Sequence, residues 1–424
     1  MNSLNIKELI YSKEFIDSEI INSTLDISKN SILLLNNQSG EKLDRLISEA
    51  LEKNVKRILT SENSSISNKK VIKVKNYDEV FIDLLNQICP NFIKKNYYGI
   101  TGTNGKTTTK ELINAILKTK YKTSSTTGNY NNHIGVPLTI LSTPSLTEIL
   151  IIEMGANQKN DIKFLCEIAK PTHGIITNIG KAHLEGFKTH KNIIKTKKEL
   201  YNFIKLNNGK LFVNFNDDLL VKLSKNIKSE YYGENNSKII EQNPFVSIFY
   251  NNIKINSKLI GSYNFSNMLA ACKIGTYFGV KIKDCKTAIE NYIPSNNRSQ
   301  KEITKRKNTL ILDAYNANPS SMHASIDSFN EMVGEKKILI IGDMLELGNE
   351  SLFEHQKICD LILKYNFNDT FLIGKEFQKT KNIFKKFETV NDAKKWILNN
   401  PIEKSSILLK ASRGIKLEDL YSVL

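Results

Sequence analysis

The chain has 424 residues, too many for one ordinary hydrophobic core, and two to three domains are expected. Its 40% apolar content excludes global disorder, and no run approaches the ~18 apolar residues of a membrane-spanning helix. The formal charge of +16 would suit nucleic acid or anionic lipid, but the lysines are spread along the whole chain, so no nucleic-acid partner is expected.

A diffuse positive field of this kind still favours capture of polyanionic nucleotides. The opening MNSLNIKELIYSK lacks the basic-then-apolar layout of a secretion signal, which makes a soluble, cytoplasmic protein the expectation. The five cysteines, Cys89, Cys166, Cys272, Cys285 and Cys359, form no C-x-x-C pair and read as reduced thiols.

Short apolar runs alternate with helical patterns, so the fold class is α/β, in three blocks. Residues 1–94 hold candidate strands SILLL (31–35), KRILT (56–60) and KVIKV (70–74), and end near the turn Cys89-Pro90-Asn91. Residues 95–296 open with YYGIT (97–101) and continue through ILIIE (149–153), GIITN (174–178) and LFVN (211–214) to a helix from Asn267 to Phe278. Residues 297–424 carry TLILD (309–313), KILIIG (337–342), TFLIG (370–374) and SILLK (406–410), the rhythm of a small doubly wound, Rossmann-like sheet. Ligands of open α/β sheets sit beyond the carboxyl ends of the strands. Thr101, Glu153, Asn178, Asp313, Gly342 and Lys410 all fall there, which predicts one site shared between the second and third blocks.

The segment G-I-T-G-T-N-G-K-T-T-T (99–109) lies between a strand and a helical pattern. Glycines let a backbone wrap closely around phosphate oxygens, and the dipole of the following helix favours an anion. Gly102, Thr103, Asn104, Gly105, Lys106, Thr107 and Thr108 are therefore the expected phosphate cradle of a P-loop ATPase-like, parallel-sheet domain. Lys106 would bridge the β- and γ-phosphates of ATP, and Thr107 would offer its hydroxyl to Mg2+. The motif departs from the general P-loop, because Ile100 stands where that pattern has its first glycine.

Phosphoryl transfer from ATP needs a divalent cation, and Mg2+ prefers oxygen ligands. Glu153, closing the strand ILIIE, is a candidate ligand, and His183 follows the strand GIITN. Lys197 is placed on the apolar face of a helix over 191–205, with Ile193, Leu200 and Ile204. There it reads either as a lysine snorkelling to solvent or as a desolvated amine able to take up CO2 as an anionic carbamate.

These motifs resemble the Mur ligases, ATP-dependent enzymes that extend the peptide of the peptidoglycan precursor. The resemblance rests on T-G-T-N-G-K-T-T-T (101–109), E-M-G-A-N (153–157), N-I-G-K-A-H-L-E (178–185) and the interval from His183 to Lys197. T-G-N-Y-N-N-H-I-G-V-P-L-T (127–139), Y-N-A-N-P-S-S-M (315–322) and G-D-M-L-E-L-G (342–348) resemble the branch that adds D-alanyl-D-alanine to a UDP-N-acetylmuramoyl-tripeptide. The resemblance implies a small N-terminal α/β UDP-sugar domain over 1–94, matched there by position and size alone, and a monomer is expected. It implies that Lys106 and Thr107 contact ATP and Mg2+, that Glu153 and His183 hold or orient the metal, and that Lys197 is carbamylated. Asn267 would read adenine, while Arg298 and Asp313 would reach phosphate and ribose, with Asn316 and Asn318 in the same loop. Asn129, Asn131 and Asn132 would face the muramoyl-peptide.

Two departures stand out. Leu312 occupies a usually acidic position before Asp313, and Lys410-Ala411-Ser412-Arg413 replaces a usual Lys-Gly-Ser-Arg, in doubt if position 411 needs a positive φ. Lys410 and Arg413 read equally as a solvated basic face.

Overall fold

The computed structural model describes residues 19–21, 27–35, 40–75, 96–144, 146–234, 237–294, 298, 300–334 and 336–424. The turn expected at Cys89-Pro90-Asn91 lies outside them. First comes a parallel sheet of β1 (Glu19–Ile21), β2 (Ser31–Leu35), β3 (Arg57–Ser61) and β4 (Val71–Val74), paired in that order. Every residue of β2 is buried, as befits a parallel strand covered on both faces. Helix α1 (Gly40–Glu52) turns Leu43, Ile47 and Ala50, spaced at helical intervals, onto Leu33 and Leu35.

The second sheet is parallel throughout: β5 (Asn96–Thr101), β6 (Thr123–Ser125), β7 (Ile149–Glu153), β8 (His173–Ile176), β9 (Lys210–Asn214) and β10 (Ser229–Tyr232). Its order, β10-β9-β8-β5-β7-β6, sends the chain from β5 to one edge and back, then across to β8. The loops leaving β5 and β8 therefore part, opening a crevice at the carboxyl ends of these neighbouring strands. Helices α2 (Lys106–Leu117), α3 (His190–Leu206) and α4 (Asn264–Tyr277) belong to this region, and α2 packs on α4. The Thr189 hydroxyl caps α3 by accepting from the Asn192 N–H at 3.3 Å, and Ile193, Thr196, Lys197, Leu200, Tyr201 and Ile204 form its buried face.

An antiparallel meander of β11 (Ser237–Gln242), β12 (Phe245–Tyr250) and β13 (Ile253–Ile260) precedes α4. It has no counterpart among the elements expected from the sequence. The last sheet contains β14 (Gln300–Ile303), β15 (Thr309–Leu312), β16 (Lys337–Gly342), β17 (Thr370–Ile373), β18 (Lys385–Phe387) and β19 (Ser406–Lys410). Its order is β14-β15-β19-β16-β17-β18, with β14 antiparallel to β15 and every other pair parallel. Insertion of β19 between β15 and β16 sets Lys410 beside the residue that follows β15, Asp313. Helices α5 (Pro319–Glu331) and α6 (Ser351–Lys364) connect these strands. Ala411 is fully buried and has no positive φ, so its methyl needs no special backbone. Cys166, Cys272, Cys285 and Cys359 are free and buried. Among the described residues no helix is long and apolar enough to cross a membrane.

Candidate active site

One cavity of about 540 Å³ lies where the crevice of the second sheet meets the last sheet. Of the residues given a nucleotide, metal or substrate role above, all but Asn132 line it, as do Asn178 and Lys410; Thr101, Gly342 and Arg413 do not. Asn132 serves the backbone instead: its Oδ1 accepts the N–H groups of Ile134 and Gly135 at 3.1 and 2.8 Å, at the start of the helix Gly135–Leu141. A short amide placed there satisfies donors that have no partner inside the helix.

The phosphate loop is clamped by the segment leaving β8. The Asn104 N–H donates to Asn178 Oδ1 at 3.0 Å, and the Asn104 carbonyl accepts from Asn178 Nδ2 at 2.9 Å and from the Thr177 hydroxyl at 2.6 Å. Thr103 Oγ1 accepts the Gly180 N–H at 2.9 Å. Gly105, at φ 77°, leads into α2, and a Cβ on it would come 2.6 Å from Asn267 Oδ1. Gly102 has φ 148°, and a Cβ there would strike the Thr177 hydroxyl. Gly102→Ala is expected to destabilise the fold by about 1–3 kcal/mol through backbone strain and collision, read as a lower thermal midpoint.

Lys106 closes the loop on itself, donating to the carbonyls of Gly102 at 2.9 Å and Thr103 at 3.0 Å. Burial lowers its pKa, opposed by the charge of Glu153 and assisted by that of Arg298. Glu153 is 1% exposed. Its Oε1 accepts from Asn131 Nδ2 at 2.8 Å, while its Oε2 is buried without a hydrogen-bond partner among the described residues, 3.9 Å from Lys110 Nζ. Lys197 does not snorkel: it is 3% exposed, and its Nζ donates to Thr101 Oγ1 at 3.3 Å. Its pKa falls well below the usual lysine range, first through burial and then through the charge of Lys106.

The last sheet brings its own groups to the same space. Asp313 Oδ2 accepts from Lys410 Nζ at 2.5 Å and from the Ser325 hydroxyl at 2.7 Å. Lys410 is 2% exposed, which overturns its reading as part of a solvated face. The β15–β19 adjacency gives it a carboxylate partner in the interior. Arg298 lies 3.6 Å over the Tyr315 ring, with Arg413 5.3 Å from the same ring. Asn316 folds its Oδ1 onto the N–H of Ala317 at 2.9 Å. Asn267 accepts from the Thr109 hydroxyl at 3.1 Å and donates to Asn264 Oδ1 at 2.9 Å. Asn129 is exposed at the mouth of the cavity.

A seam of polar contacts joins the two regions across this cavity. Asn318 caps α5 by accepting the Ser321 N–H at 2.9 Å and donates to Asn104 Oδ1 at 2.8 Å. The Lys181 N–H donates to the Ser320 hydroxyl at 2.9 Å, and Lys181 Nζ pairs with the buried Glu354 at 2.7 Å. His183 faces the carboxylate of Glu346, whose pKa it holds below the usual range. Asn318→Ala removes a helix cap and should destabilise by about 1 kcal/mol, measured by denaturant unfolding.

Thr177, Tyr315, Ser325 and Lys110 also belong to this network but were missed in the sequence. Tyr315 heads the motif Y-N-A-N-P-S-S-M, and Lys110 shares a helical face with Ile113 and Leu117.

A phosphate loop and a second α/β sheet that share one cavity suit a nucleotide-dependent ligase built in two parts. A family model described as the Mur ligase middle domain matches residues 100–275, and one described as the Mur ligase, glutamate ligase domain matches residues 298–412. The chain belongs to the Mur ligase family. It is similar to UDP-N-acetylmuramoyl-tripeptide--D-alanyl-D-alanine ligase of Bacillus subtilis (strain 168), 32% identical over 342 residues that cover 76% of this chain and 74% of that one. The ligase of the same name from Buchnera aphidicola subsp. Baizongia pistaciae is 33% identical over 75% of this chain and 73% of its own. In fold, the chain resembles MurF of Thermotoga maritima in complex with ADP, with TM-score 0.80, 24% identity and coverage of 97% of this chain and 98% of that one. It also resembles MurF of Acinetobacter baumannii, with TM-score 0.79, 24% identity and coverage of 95% and 92%.

Proposed function

We propose that the chain joins the amine of D-alanyl-D-alanine to the terminal carboxylate of UDP-N-acetylmuramoyl-tripeptide in peptidoglycan precursor synthesis, with ATP converted to ADP and phosphate. One observation carries the reading: a phosphate loop, a buried carboxylate oxygen that accepts no hydrogen bond among the described residues and a desolvated lysine share one cavity with Arg298 and Asp313. Its working division is a UDP-sugar domain over 1–94, an ATP domain over 95–296 and a closing domain over 297–424, in a cytoplasmic monomer.

The tripeptide carboxylate is a poor electrophile until the γ-phosphoryl group of ATP converts it to an acyl phosphate. The backbone of residues 102–106 and the Lys106 ammonium stabilise charge on the phosphoryl group as the β–γ bond breaks and the acyl–O–P bond forms. The dipeptide amine then attacks the acyl carbon, sheds a proton, and phosphate leaves. Asn267 meets the adenine, and Arg298 and Asp313 close over phosphate and ribose, keeping water from the acyl phosphate. Asn129 and Asn131 face the muramoyl-peptide, as do Asn316 and Asn318. Asn132 holds the shape of its loop.

The donor set fits a divalent cation, because Glu153 Oε2 is buried without a hydrogen-bond partner among the described residues and the Thr107 hydroxyl lines the same cavity. Thr107, Glu153 and His183 would hold Mg2+ together with Lys197 as its carbamate, and the metal would offset negative charge on the phosphates. The test is to mix the purified chain with Mg-ATP, UDP-muramoyl-tripeptide and D-alanyl-D-alanine and weigh the product. A mass increased by the dipeptide less one water is expected, with equimolar phosphate. No product, or product only with lysine or diaminopimelate on the shorter UDP-muramoyl-dipeptide, would refute the reading.

A further inference from the structure

We propose that Lys110 is a positioning residue, a buried ammonium that fixes the asparagine-rich loop of residues 127–133 against Glu153 and so sets where the acceptor peptide binds. The inference deepens the reading above and rests on it for the identity of the acceptor.

Lys110 is 0% exposed, one helical turn beyond Lys106. Its Nζ donates to the Thr126 carbonyl and, at 3.4 Å, to the Gly128 carbonyl, the two ends of the strand-to-loop exit after β6. The same atom stands 3.0 Å from Glu111 Oε1 and 3.9 Å from Glu153 Oε2. Thr126 returns to Glu153, its Oγ1 accepting the Glu153 N–H at 3.0 Å. The loop makes a second attachment three residues on, where Asn131 Nδ2 donates to Glu153 Oε1 at 2.8 Å and its carbonyl accepts the Gly155 N–H at 2.6 Å. A closed circuit therefore runs from α2 through Lys110 to Thr126, along the loop to Asn131 and back through Glu153.

Lysine is almost never fully buried unless its charge is matched, and here carbonyls and carboxylates match it on two sides. A neutral chain of equal length would fill the space but leave two carbonyls without their donor. The first residues of the loop would then lose the anchor that fixes Asn129 and Asn131 at the cavity wall. The phosphate loop keeps its own clamp through Thr177 and Asn178, so its backbone does not depend on Lys110.

The test is Lys110→Met, with Lys110→Gln as the second variant should methionine not fold. The tripeptide KM is expected to rise about tenfold to a hundredfold, the scale of hydrogen bonds to a charged group, with the KM for ATP changed less than about twofold. Amide hydrogen exchange on the ligand-free chain is expected to speed up at residues 128–132 and to stay unchanged at 102–106. Equal rises in both KM values, or faster exchange in both loops together, would mean a purely structural lysine and overturn the proposal. Unchanged exchange at residues 128–132 overturns it whether or not the chain ligates. A wild-type chain that makes no product refutes the functional reading instead, and the exchange measurement then decides on Lys110 by itself.

Discussion

Replacement of Lys106 by alanine is expected to abolish ligation and leave the fold standing. The ammonium donates to two carbonyls of its own loop, and the clamp on that loop comes from Thr177 and Asn178, which the substitution does not touch. What disappears is the cation opposite the γ-phosphoryl oxygens. Loss of one well-placed donor to developing negative charge lowers turnover by about a hundred- to a thousandfold, and loss of a full charge should match or exceed that. Phosphate release and product mass measure the effect, with circular dichroism and the thermal midpoint as controls. Turnover near that of the parent chain would remove Lys106 from the chemistry.

The second large effect is expected at Lys197. Lys197→Ala should be close to inactive and should regain part of its activity when a small carboxylic acid such as acetate is added. Burial pushes this amine toward its neutral form, and the nearby Lys106 charge acts in the same direction. A neutral amine adds CO2 and releases a proton, leaving a fixed anion in a cavity that also holds Glu153. Alanine leaves space in which a free carboxylate can take that place. Acid returns the amine to ammonium, so activity in CO2-depleted buffer should fall further as pH drops and recover with bicarbonate. Full activity in the alanine variant, or failure of every small acid to restore it, would rule out the carbamate.

Legibility in the sequence followed the strength of the local signal. ILIIE, KILIIG and SILLK emerge with the expected bounds because a parallel strand buried on both faces writes itself as an unbroken apolar run. Lys197 was placed on the buried face of its helix by periodicity, yet periodicity could not decide between snorkelling and full burial. That choice depends on β5, which supplies Thr101 from 96 residues away in the chain. The meander β11–β13 went unread although β13 alternates, with Lys254, Asn256 and Lys258 exposed and Ile255, Ser257 and Leu259 buried. Its polar residues resemble the lysine- and asparagine-rich background of the chain, which hides a two-residue period. The edge strand β14, QKEI, is concealed in the same way. The ion pair of Lys410 with Asp313 was beyond any local reading, since it exists only because β19 enters the sheet beside β15. Asn132 shows the opposite limit: its motif placed it correctly in the loop, but not the direction of its side chain.

The self-closed phosphate loop has a consequence for the end of the catalytic cycle. Because the Lys106 ammonium rests on the carbonyls of Gly102 and Thr103, an arriving nucleotide exchanges those bonds for its own rather than adding to them. Departure of the spent nucleotide is eased by the same exchange, since the amine has partners waiting and is not stranded in a buried pocket. The loop thus gives up some grip on the incoming nucleotide in return for an easier exit of the outgoing one.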